Sequence, residues 1–105
     1  MIITDWKTLE PIVNKDGILA QRIYDKSEGQ IIHMALSAGA SLKPHKTPVN
    51  VAFYVLDGTL TIEIGEERSA CTAGNMIESP LGIPHALYNE SNADVHLLVM
   101  KLPKP

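Results

Sequence analysis

Short apolar alternations, cut repeatedly by Gly, Pro, Asn and Asp, constrain this chain more than any other feature. In "TLTIEI", Leu60, Ile62 and Ile64 share one face, with Thr59, Thr61 and Glu63 on the other. "QIIHMALS" alternates in the same way. Ile32, Met34 and Leu36 form its more apolar face, which puts His33 on the opposite, outer face with Ile31 and Ala35. A period of two is the strand period. No long segment repeats apolar residues at helical spacing between caps. Further strand-like runs are "GILAQRIY", "VNVAFYVL", "RSACTA", "MIES", "HALYN" and "VHLLVMKL", and "MIIT" reads as a first strand. "DKSEG" suits a hairpin loop and the "DG" after "VNVAFYVL" a tight turn. "DWKTLEP" reads as a single turn, with Asp5 as its cap and Trp6 packed beneath it. Many short strands with close turns predict an all-β sandwich or barrel.

The 105 residues fit one domain, residues 1–105. The net charge is −3 and no basic cluster occurs, which argues against nucleic acid and anionic membranes as partners. Cys71 is the one cysteine, so neither an intrachain disulfide nor a CxxC zinc site can form. No histidine lies near it in sequence, and it reads as an inert buried thiol. The N-terminal stretch lacks a basic segment followed by a long apolar one, and no apolar run reaches membrane-spanning length. The expected location is cytoplasmic.

Against this background "GNMIESPLGIPHALYN" stands out. Pro80, Gly82 and Pro84 set a bend, and His85 opens the strand after it with a fixed direction. Gly74, Pro80, Gly82, His85 and Asn89 match every fixed position of the second cupin motif, G-x-x-x-x-x-P-x-G-x-x-H-x-x-x-N. "GASLKPHKTPVNVAFYVLDG" resembles the first motif through Gly39, His45 and Gly58. It departs from it twice: Thr47 stands where the second histidine belongs, and Val51 where the glutamate belongs.

The resemblance to the cupin superfamily implies a small antiparallel β-barrel of the jelly-roll type, a double-stranded β-helix of two facing sheets. It implies a divalent transition metal in the barrel mouth (Mn, Fe, Ni or Zn), held here by His45 and His85 alone. Such ions take about four to six donors. The remainder would come from water, ligand or a weak donor such as Thr47 or Asn50. Thr47, Val51, Phe53, His96 and Met100 are the expected pocket residues, His96 and Met100 on condition that their face of "VHLLVMKL" turns inward. His85 at a barrel mouth is expected to make few core contacts, so that truncating it costs about 1 kcal/mol or less. Glu78 and Glu90 flank the bend without an assigned direction.

Three functions fit these residues: a binder of a small ligand in the barrel, a metal-dependent enzyme on a small molecule, and a scaffold subunit. Apolar residues on both faces of "VNVAFYVL", including Tyr54 and Leu56 on the second, predict a homodimer.

Overall fold

Asp16 and Gly17 both adopt positive φ, 55° and 77°, the pair of left-handed residues that a two-residue hairpin turn requires. They join β1 (Val13–Lys15) to β2 (Ile18–Lys26). The structure, a computed structural model, describes residues 1–105. The remaining strands are β3 (Gly29–Leu36), β4 (Ser41–His45), β5 (Asn50–Asp57), β6 (Thr59–Ile64), β7 (Glu67–Thr72), β8 (Met76–Ser79), β9 (His85–Tyr88) and β10 (Val95–Leu102). The only helical element is a single 3-10 turn, Trp6–Thr8, whose Lys7 backbone N–H donates to the Asp5 carboxylate at 3.0 Å. No helix is long and apolar enough to cross a membrane.

Two antiparallel sheets result, one of six strands in the order β1-β2-β3-β10-β5-β8 and one of four in the order β4-β9-β6-β7. The chain passes between the sheets after β3, β4, β5, β7, β8 and β9. This exchange makes a jelly roll rather than two separate meanders. Gly58 sits at one such passage with φ 90°. A Cβ there would meet the Asp94 carbonyl at 2.9 Å, so the turn from β5 to β6 admits no larger side chain without displacing backbone.

The apolar faces foreseen for β3 and β6 are the inward ones. Ile32, Met34, Leu36, Val51, Phe53, Val55, Leu60 and Ile62 join one buried cluster with Leu87, Val95, Leu97 and Val99. Each such side chain contributes roughly 1.5–3 kcal/mol by leaving water. Cys71 belongs to the same cluster, and burial pushes its thiol above the ordinary range, as its reading as inert requires.

Two expectations are corrected. "MIIT" forms no strand, and Ile2 and Ile3 are largely exposed. The sheet edge it would need is taken by β1, whose Val13 pairs with Ala20. In β10 the inward residues are Val95, Leu97, Val99 and Lys101, which leaves His96, Leu98 and Met100 outside. Both faces of "VHLLVMKL" are apolar, so its alternation has no preferred parity. The register sets it: Leu97 pairs with Val55 and Val99 with Phe53, whose side chains point into the core.

Asn89, the last fixed residue of the second motif, acts as a structural clamp. It is 1% exposed. Its amide donates to the carbonyls of Leu36 and Ala93 at 2.9 and 2.8 Å, and its Oδ1 accepts from the Ser91 hydroxyl and backbone N–H. Asn89→Ala would strand several of these groups and should cost about 2–4 kcal/mol. Urea denaturation measures it; a loss below about 0.5 kcal/mol would show that this turn is held by something else.

Candidate functional site: a histidine pair over an apolar cavity

His45 closes β4 and His85 opens β9, and the two are direct partners across the antiparallel pair. A bulge between Leu42 and His45 adjusts the register so that they meet. Their Nε2 atoms lie 3.1 Å apart, with the rings edge to face. His45 is exposed at the rim. His85 is buried, with Phe53 edge-on at 5.2 Å between ring centroids. The expectation that His85 makes few core contacts is therefore corrected. Truncating it would remove packing on Phe53 and leave the Ser79 hydroxyl without its partner.

Hydrogen bonds assign the neutral tautomers. The Lys43 carbonyl can only accept, so His45 donates to it from Nδ1 at 3.2 Å and keeps a lone pair on Nε2. His85 then donates from Nε2 to His45 and accepts at Nδ1 from the Ser79 hydroxyl at 2.9 Å. Burial, then the neighbouring His45, then Lys101 push the His85 pKa down to about 4. The ring is neutral at physiological pH.

Beneath the pair lies a cavity of about 70 Å³ lined by Ile32, Met34, Leu42, Thr47, Val51, Phe53, Val99 and Lys101 with the two histidines. Thr47 reaches it from the passage between β4 and β5, and Val51 from the start of β5. This passage is tied to the bend before β9. Gly82 N–H donates to the Thr47 carbonyl, and Leu81 N–H to Asn50 Oδ1. Asn50 is thus engaged as a loop clamp and is no ligand donor. A far larger depression, about 1110 Å³, runs between the edges of β7 and β8, but it is open and carries no histidine.

His96 and Met100 are absent from this cavity, consistent with their outward parity. His96 instead joins His33 and Trp6 on the outside of the larger sheet. His33 donates from Nδ1 to Gln21 at 3.0 Å and accepts at Nε2 from His96 Nδ1 at 3.0 Å. Trp6 stacks on the His33 ring, centroids 4.0 Å apart. His33 lies on the outer face as expected, but it is only 2% exposed because Trp6 covers it. Glu90 points to Arg68 and Thr61 on the surface, and Glu78 is exposed on the outside of β8. Neither carboxylate serves the cavity.

Sequence reasoning missed Lys101 in the cavity and Ser79 behind His85. No local pattern marks the lysine: the register with β5 turns Val95, Leu97 and Val99 inward, and Lys101 follows them on the same face.

The donor set decides whether these residues suit the metal of the cupin resemblance. A pair of nitrogens 3.1 Å apart could chelate one ion at the usual bond length of about 2.1 Å. Beyond that pair, no group of three or more His, Cys, Asp or Glu side chains converges anywhere in the structure. Val51 offers no oxygen, Thr47 only a neutral hydroxyl, and Lys101 adds positive charge. These residues do not fit a resident metal ion.

The cupin domain family profile matches residues 32–101, two thirds of the chain, and the protein belongs to that family. Among solved structures it is similar to TT1209 from Thermus thermophilus, at 28% identity over the whole of both chains with a TM-score of 0.86. It is also similar to KdgF from Halomonas sp., at 15% identity, 100% and 96% coverage and a TM-score of 0.89. A third likeness is to the polyketide cyclase RemF from Streptomyces resistomycificus, at 18% identity, 99% and 80% coverage and a TM-score of 0.84. No curated protein sequence matches significantly.

Proposed function

We propose that the protein binds a small molecule inside the barrel, with the His45–His85 pair as its polar contact. The observation that supports this is the convergence of two imidazoles from β4 and β9, 3.1 Å apart, over a cavity otherwise lined mostly by apolar side chains. Few convergent polar groups over an apolar lining is the usual makeup of a small-ligand pocket. The cavity admits a molecule of only a few non-hydrogen atoms. Neither histidine contacts a carboxylate, so the arrangement lacks the acid partner that a general base in an enzyme commonly has. The neighbours in fold include a polyketide cyclase, but fold alone does not carry chemistry from one chain to another.

Elemental analysis and native mass spectrometry of untagged protein, purified without chelator, test the reading. The expected result is substoichiometric metal together with a small organic adduct. His85→Ala should abolish the adduct, and His45→Ala, at an exposed position, should change stability by less than about 1 kcal/mol. Stoichiometric metal with no organic adduct would overturn the proposal in favour of a metal centre.

A further inference from the structure

In the pairing of β5 with β10, Lys101 stands directly opposite Val51. Directly opposed residues carry their side chains on one face, with Cβ atoms about 4.5–5.5 Å apart. Both line the cavity. The position that the cupin motif fills with a carboxylate therefore holds an isopropyl group, and its cross-strand neighbour is a lysine. No Asp or Glu lines the cavity, and Lys101 takes part in none of the four ion pairs of the molecule. A place suited to a cation has become one where a cation would meet an unbalanced ammonium.

We infer that the pocket takes an anion, a short aliphatic monocarboxylate. This rests on the reading of the cavity as a small-ligand site. The carboxylate lies toward the Lys101 ammonium and the His85 Nε2–H, the hydrogen that His45 accepts in the free protein. Charge-assisted hydrogen bonds of this kind are about twice as strong as neutral ones. The hydrocarbon end rests on Ile32, Met34, Phe53 and Val99. The same wall selects against inorganic phosphate, whose remaining oxygens would face apolar carbon without donors.

The test is a titration of the isotope-labelled whole protein, followed through the imidazole signals of His45 and His85 and the Lys101 amide. Isobutyrate, its neutral isostere isobutyramide and inorganic phosphate are the three probes, in a buffer without carboxylates. Isobutyrate should shift all three signals, and the amide and phosphate should bind at least about tenfold more weakly. Lys101→Met should weaken isobutyrate by about tenfold or more, and Lys101→Arg should hold it within about threefold. Should Lys101→Met fail to fold, the comparison of probes on the native protein still decides. Equal binding of the acid and the amide would overturn the anion assignment and leave the pocket reading standing. Phosphate binding as tightly as isobutyrate would overturn the aliphatic part. No shift of either histidine with any probe up to about 50 mM would overturn both the anion assignment and the pocket reading.

Discussion

Acid should destabilise this protein well above the pH at which its carboxylates titrate. His33 and His85 are both almost fully buried and hydrogen-bonded in neutral form, and both have pKa values lowered from 6.5 to about 4. For His33 the causes are burial, then His96, then Lys7. In the unfolded chain each ring takes up a proton near 6.5. In the folded chain it resists until about 4, so across this window the unfolded state binds more protons. Stability is therefore full above 6.5, falls as the pH drops, and levels off for these groups below about 4. At pH 5 the loss is about 2 kcal/mol for each ring, a large share of the stability of a small domain. The surface carboxylates Asp5, Asp25, Glu28 and Glu90 are lowered chiefly by hydrogen bonds, so their contributions are lost only in and below the ordinary carboxylate range. Urea denaturation at a series of pH values reads the effect, and His33→Gln should remove about half of the slope. An unfolding free energy that stays flat from pH 7 to 5 would mean that these rings are not held neutral.

Rebuilding the eroded motif should turn the pocket into a metal site. Thr47 and Val51 both line the cavity with His45 and His85, so Thr47→His would add a third imidazole and Val51→Glu a carboxylate beside the other donors. Together they form a set suited to Mn, Fe, Ni or Zn. Without metal the new carboxylate is desolvated, a cost that its cross-strand neighbour Lys101 offsets in part. The apo double variant should therefore melt below the native protein. With Ni²⁺ at about a hundred times its dissociation constant, binding adds about 2.7 kcal/mol, a rise in Tm of about 10–20 °C for a domain of this size. The native protein should gain far less under the same conditions, since it offers two nitrogens against a lysine. Thermal melts of both proteins after chelator treatment, with and without Ni²⁺, make the comparison. Equal rises would show that positions 47 and 51 do not serve the same point as the histidines.

Local chemistry made much of this molecule legible. Strand alternation in "TLTIEI" and "QIIHMALS" named the inward residues correctly, because one-sided burial leaves a period-two imprint on the chain itself. Asp5 capped the turn expected of it. The spacing of His45 and His85 within the cupin motifs placed both at one site, although they lie forty residues apart. In β10 the same logic failed. With apolar residues on both faces, only the pairing with β5 could choose between Leu97 and Leu98, and this choice sent His96 and Met100 outward and brought Lys101 in. The Trp6 cover over His33 likewise joins two segments whose meeting no local pattern encodes. By itself the sequence determined most of the strands and turns, the family and the histidine pair, because each is written in neighbouring residues or in motif spacing. Tertiary structure alone decided the lysine in the pocket and the burial of His33. Both depend on which strand lies beside which, in what register, and so on the packing of the whole barrel.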